Sequence, residues 1–212
     1  MSKAIPLARV VAALALALAG AHAAADTSFN VSIDTSGFGV ASGWLDLQFN
    51  GPGVDLAPAA TVTLTDFAGF DASAEVITAG QVAGSLATGY TIGNGDGWND
   101  LFHAVSYGSV LSFKVTFAGD ADLSGDIGQS VFGVSAYAAD QETLLGGSRA
   151  LDGSLGTITW TPATVLGGTG STSFALNADA IAISAVPEPS SWLMMGVGAM
   201  LAAGAARRSR RA

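Results

Sequence analysis

Between Asp26 and Val186 the chain alternates apolar and polar residues in short runs, and this alternation confines it to β-structure. Successive side chains of a strand point to opposite faces, so a period of two gives one apolar and one wet face. The stretch "VLSFKVTFAG" puts Leu111, Phe113, Val115 and Phe117 on one side and Lys114 on the other. "SFNVSID" does the same with Phe29, Val31 and Ile33, "GWLDLQFN" with Leu45, Leu47 and Phe49, and "ATVTLTDF" with Val62 and Leu64. "VFGVSAYA", "GTITWTP", "STSFALN" and "AIAISAV" are further candidates. Clusters of Gly, Asp, Asn and Pro, such as "NGPG", "GNGDG", "AGDADLSGD" and "LGGTG", separate the runs and supply turns. About eight to ten short strands with one wet face each predict a mostly-β fold, an antiparallel β-sandwich with jelly-roll-like connections. No amphipathic helix and no internal repeat is legible between the two ends.

Composition agrees with this. Charged residues are 12% of the 212 and glycines number 28, against averages of about 25% and about 7%, which is the balance of a turn-rich β-domain rather than a helical enzyme. Cysteine is absent, which removes disulfides, thiolate metal sites and a cysteine nucleophile. A domain of about 160 residues buries enough apolar surface to do without them. Asp26 to Val186 holds sixteen acidic residues and two basic ones, Lys114 and Arg149, a net of −14. Such a field repels nucleic acid and anionic membrane surfaces and favours divalent cations, so nucleic acid is excluded as a partner.

The other basic residues sit at the two ends. Lys3 and Arg9 accompany an apolar run from Val10 to Ala19, and "AHA" and "AAA" follow as small-residue cleavage sites. These are the parts of a secretory signal over residues 1–25, a helix that signal peptidase removes once the secretion translocon has engaged it. Ten residues rise about 15 Å, too little to span a hydrocarbon core of about 30 Å. At the other end Pro187, Glu188 and Pro189 lead into fifteen uncharged residues, Trp192 to Ala206, and then into Arg207, Arg208, Arg210 and Arg211. Residues 192–206 give about 22 Å of helix. Ser190, Ser191 and Trp192 suit the headgroup region and the arginines can snorkel, so a short C-terminal transmembrane helix is expected. The arginines are its stop signal and place the C-terminus in the cytoplasm, with the body exported. Pro187 and Pro189 hold the backbone extended and keep the helix from running upstream, which suits a processing site. A permanent tail anchor is the alternative.

Pro-Glu-Pro, apolar helix and arginine cluster, in that order at the C-terminus, resemble the PEP-CTERM sorting domain of exopolysaccharide-producing Gram-negative bacteria. The resemblance covers residues 187–212. It implies that the tail holds the protein in the inner membrane until an exosortase, a membrane-embedded cysteine protease or transpeptidase, cleaves near Pro189. The body is then released or passed toward the cell surface. "SIDTSG", "GWLDLQFN", "NGDGWNDLFHAVSYG" and "LSFKVTFAGDA" also resemble a small family of uncharacterised PEP-CTERM exported proteins. That second resemblance implies a surface or matrix protein and no particular chemistry.

Four places in the body invite a chemical reading. "DADLSGDIG" offers Asp120, Asp122, Ser124 and Asp126 at alternate positions with Gly125 before the last, the opening half of a calcium loop. Position twelve of that pattern is Val131 instead of a bidentate Glu, so a solvated acidic turn competes with calcium as the reading. "GNGDGWND" brings Asn94, Asp96, Asn99 and Asp100 together, one turn of a glycine-rich calcium repeat without tandem copies, or simply a turn. A shared site would gain support if both loops lay at one end of the sandwich. The mature chain has a single histidine, His103, expected half-buried on a strand; with no Gly-x-Ser-x-Gly and no zinc pattern, an enzyme is not expected. Trp98, in a glycine-rich loop, is the candidate for stacking on a sugar ring, whereas Trp44 and Trp160 are expected in the core.

The sequence therefore describes three parts: a signal at 1–25, a sandwich at 26–186 and a sorting tail at 187–212. The functional expectation is an exported, non-enzymatic protein of the cell surface or exopolysaccharide matrix, partnered by exosortase and, before processing, by the inner membrane. The alternatives are a carbohydrate-binding module, with calcium as the one cofactor these loops could take, and a secreted polysaccharide hydrolase working through paired carboxylates.

Overall fold

The computed structural model describes residues 27–53, 56–124 and 127–186. The signal segment, Asp126 and the whole tail, including Pro187, Glu188, Pro189, the 192–206 helix and the four arginines, lie outside the described residues. Ala25–Val186 forms one compact unit. Among the described residues there are twelve strands and no helix: β1 (Ser28–Asp34), β2 (Ser42–Asn50), β3 (Ala60–Ala68), β4 (Val76–Ala79), β5 (Val82–Ser85), β6 (Gly89–Gly93), β7 (Asp100–Ser106), β8 (Val110–Gly119), β9 (Ser130–Ala138), β10 (Gly156–Thr161), β11 (Ser171–Leu176) and β12 (Ile181–Ala185). They form two six-stranded sheets, ordered β12-β1-β8-β3-β6-β5 and β11-β10-β9-β2-β7-β4. Every pairing is antiparallel.

The pairings of the first eight strands are nested. β1 pairs with β8, β2 with β7 and β3 with β6, while β4 and β5 are joined by the turn at Gly80 and Gln81. This is one long hairpin folded over, its successive pairs assigned alternately to the two sheets. β9, β10 and β11 then extend the second sheet from the free side of β2, and β12 closes the first beside β1. Consecutive strands reverse direction. The connections after β2, β4, β6, β8 and β10 therefore gather at one end of the domain, together with Thr27 and Val186. Bonds between those connections fix the arrangement: Asn94 N donates to Ala60 O, Asp122 N to Ala163 O, and Val186 N to Ser28 O.

The two sheets face each other through rings. Phe117 of β8 meets Phe49 of β2 at 5.9 Å and Phe132 of β9 at 6.4 Å, and stacks on Trp160 of β10 at 6.0 Å. Leu111, Phe113, Val115 and Phe117 are all buried, as their spacing in the sequence requires, and so are Leu45, Leu47 and Phe49 opposite them. Each such side chain is worth about 1.5–3 kcal/mol on burial, and this seam joins the layers. Two expectations need correction. His103 is not half-buried: it is 1% exposed and lies between Phe70 and Tyr90, its ring nitrogen Nδ1 2.7 Å from Ala104 O, with burial pushing its pKa down. Trp44 is buried but outside the core between the sheets. It stacks on Phe102 at 4.9 Å on the outer side of the second sheet, because Leu45 and Leu47 take the inward positions of β2.

Candidate functional site

The outer side of the second sheet carries the chemistry that the fold leaves open to a ligand. Since β2 turns Leu45, Leu47 and Phe49 inward, Trp44, Asp46, Gln48 and Asn50 must point outward. They form a polar ladder along the strand. Asn50 Nδ2 donates to Gln48 Oε1 at 3.4 Å, and Gln48 Nε2 donates to Asp46 Oδ2. Asn50 Oδ1 in turn accepts from Asn99 N at 2.7 Å, tying the ladder to the loop that presents Trp98.

Asp46 is only 4% exposed. Trp44, Phe102 and Tyr137 form a ring contact series beside it, Phe102 lying 5.6 Å from Tyr137, and Phe102 and Ser135 are its register partners on β7 and β9. Burial pushes the Asp46 carboxyl up to about 8; the adjoining Asp100 carboxyl adds to the push and Gln48 opposes it. At neutral pH Asp46 therefore carries its proton. That proton resolves an otherwise costly arrangement, because Asp46 Oδ1 and Asp100 Oδ1 are both buried and no N–H or O–H among the described residues reaches them. A protonated Asp46 is the missing donor to Asp100. The pair is built to hold β2 to β7.

Beyond the pair the sheet dips into a groove of about 320 Å³, lined by Gln48, Asn50, Trp98, Tyr137, Asp152 and Thr157 among others. Gly133 makes its floor. It lies mid-strand on β9 between Gln48 and Thr157, and a Cβ built on it would meet nothing within 4 Å. From Val131 to Tyr137 the groove follows β9 for about 20 Å at the usual rise of a strand, so it suits a chain-like ligand better than a single ring. Trp98 stands at its rim, 56% exposed. The loop that carries it is rigidly pinned. Asn99 Oδ1 accepts from Gln81 N at 2.9 Å, and Asn99 Nδ2 donates to Asp96 O at 3.0 Å and Phe49 O at 3.3 Å. Gly80 has φ +67°, and a Cβ there would sit 2.2 Å from Trp98 O, so the β4–β5 turn packs under the loop only as glycine. Asp152 supplies an acidic wall; its carboxylate accepts from Ser154 N at 3.0 Å and Ser154 Oγ at 2.8 Å, which lowers its pKa.

The two acidic loops do lie at one end of the sandwich, and in them the side chains of Asp122 and Asn94 are turned to structural work. Asp122 Oδ1 accepts from Ser124 N at 2.9 Å and Ser124 Oγ at 2.5 Å, and Oδ2 from Gly128 N at 3.2 Å, which holds its pKa below the usual range. Asn94 Oδ1 accepts from Ala60 N at 2.8 Å, and its Nδ2 donates to Pro58 O at 2.9 Å and Ser130 Oγ at 2.8 Å. Asp120 bonds through its backbone N to Ala59 O, and Asp96 is exposed. Among the described residues no three His, Asp or Glu side chains are placed to hold a metal ion. Of the sequence candidates, the structure brings Trp98, Asn99 and Asp100 to the outer sheet face. It adds Asp46, Gln48, Asn50 and Gly133, which no short motif marks.

The sandwich ends at Val186, and the tail follows it without a linker. Residues 185–211 match the PEP-CTERM protein-sorting motif. Among curated proteins and solved structures, none matches the chain. The motif marks an exported protein whose C-terminal tail is anchored in the membrane before an exosortase processes it.

Proposed function

We propose that this is a non-enzymatic protein of the cell surface or exopolysaccharide matrix that binds polysaccharide along the outer groove of its second sheet. On this reading signal peptidase removes residues 1–25 and the tail spans the inner membrane through 192–206. Exosortase cleavage near Pro189 then frees a jelly-roll-like sandwich. The nested pairing of β1 to β8 supports that fold. The observation that carries the binding is the groove over Gly133, open for most of a strand and ended by an exposed indole. Indole and phenol faces stack on the apolar faces of sugar rings, and Gln48, Asn50, Asp152 and Thr157 offer hydrogen bonds to hydroxyls. The domain's net charge of −14 favours neutral over anionic polymers.

Titration of the tail-less protein with the host's purified exopolysaccharide tests this. Gly133→Leu fills the groove without touching the core and should abolish binding while leaving the melting temperature at or above wild type, since Gly weakens a strand interior. Trp98→Ala should weaken binding on the order of tenfold, the loss of about 1.4 kcal/mol. Wild-type affinity in Gly133→Leu would remove the groove from the account.

A further inference from the structure

The end of the domain that carries Thr27 and Val186 is the end from which the chain continues into the tail. Three connections there present large apolar side chains to solvent: Leu56 after β2, Leu123 and Ile127 after β8, and Val165 and Leu166 after β10, Leu166 being 81% exposed. The three loops adjoin. Asp122 N donates to Ala163 O at 2.7 Å, and Gly128 lies so close to the first loop that a Cβ on it would be 2.3 Å from Leu56 O. Val186 leaves from the same end, its N bonded to Ser28 O at 2.9 Å, and Phe29 beside it packs on Phe174 of β11 at 6.1 Å, next to the 162–170 loop. Exposed carboxylates lie at both ends, Asp96 and Asp120 at this one and Asp34, Asp71, Asp140, Glu142 and Asp179 at the opposite one. Val40, Val110, Leu144 and Leu151 are exposed at that end too, so exposure alone does not select the end that docks.

The covalent path selects the partner. Only Pro187 to Ser191 separate Val186 from the apolar run that begins at Trp192. Five extended residues span at most about 18 Å. While the tail is in the bilayer, Val186 is therefore held within that distance of the apolar run, and the three apolar loops lie at the same end of the domain as Val186. Exposed leucines gain by entering the interfacial region.

We propose that the loops bearing Leu56, Leu123, Ile127, Val165 and Leu166 form a shallow membrane-docking surface that seats the domain on the outer leaflet of the membrane holding its tail. This inference rests on the tail being membrane-anchored, as the sorting motif implies. The surface turns a loose tether into a fixed pose and keeps the Pro187–Pro189 segment at the bilayer surface, where a membrane-embedded protease can reach it. Contact through five side chains on loops is small enough to be lost once the tail is cut, so docking and release are compatible.

Because the chain has no cysteine, a single introduced thiol is a unique label site. The full-length chain carrying Leu166→Cys, Leu123→Cys or Leu151→Cys, each coupled to an environment-sensitive fluorophore, is reconstituted into vesicles of phosphatidylethanolamine and phosphatidylglycerol containing a lipid-borne quencher. Flotation with the vesicles is measured first. Blue-shifted emission at positions 166 and 123, with several-fold more quenching than at 151, supports the docking surface. Protein that floats but shows the same water-like emission at all three positions overturns it, with the anchoring intact. Protein that fails to float overturns the anchoring and the docking together.

Discussion

Replacing Asp46 by Asn tests the proton-sharing pair and, with it, the way β2 and β7 are joined under the groove. Burial and Asp100 raise the Asp46 pKa from 3.8 to about 8. The folded protein then retains a proton that the unfolded chain has released, so between these values the native state binds more protons and stability falls as pH rises. The full contribution is present below about pH 4 and is gone once pH exceeds about 8. Below pH 6.5 the trend is partly masked by His103, whose lowered pKa makes stability rise with pH there. The informative window is therefore pH 6.5 to 9. At about 1.4 kcal/mol per pKa unit, wild type should lose about 2 kcal/mol across it, or about 4–8 °C in melting temperature for a domain of this size. Asn at 46 is neutral at every pH and its amide can donate to Asp100 as the proton does. Thermal unfolding of wild type and Asp46→Asn side by side should show near-equal stability at pH 6.5 and a variant more stable by about 2 kcal/mol at pH 9. Parallel curves would mean that Asp46 is ionised in the folded state, and the shared proton would be wrong.

Phe117→Ala removes the ring that touches Phe29, Phe49, Phe132 and Trp160; chemical denaturation should register a loss of about 3–5 kcal/mol. Asn99→Ala leaves Gln81 N without its acceptor and frees the Trp98 loop. It should cost about 1–3 kcal/mol and weaken polysaccharide binding as well, whereas an equal loss of stability with unchanged affinity would detach Trp98 from the site. Gly80→Ala forces a Cβ against Trp98 O and should shift the Trp98 fluorescence maximum while the core signals of Trp44 and Trp160 stay fixed.

Strands that bury an alternating face were legible in the sequence: β1, β2, β3, β8, β9, β10 and β12 coincide with period-two runs, as does β11, which buries no side chain, and Phe113 and Phe117 point inward as their spacing requires. β4 and β5 were not legible, because their residues are half-buried or exposed, with no buried face, and those strands exist through backbone pairing alone. β6 is five residues with glycine at both ends, too short to declare a period. Trp44 was misplaced for a related reason. Its neighbours Leu45 and Leu47 fix the inward face, and a large aromatic on the outward face stays buried only because Phe102 and Tyr137 come to meet it from other strands. The exposed position of Trp98 could be read from its flanking glycines, but the groove could not. Its floor depends on Gly133 lying beside Gln48 and Thr157 in register, and the pairing of Asp46 with Asp100 joins residues on two different strands.

The account depends most on the tail being a removable address. The mass of the C-terminal peptide, taken from the protein in its native host with and without the exosortase, tests this directly. The predicted result is a C-terminus near Pro189 when the enzyme is present and an intact Ala212 when it is absent. An intact Ala212 in both strains would contradict it, leaving a permanent membrane anchor and no released surface or matrix protein.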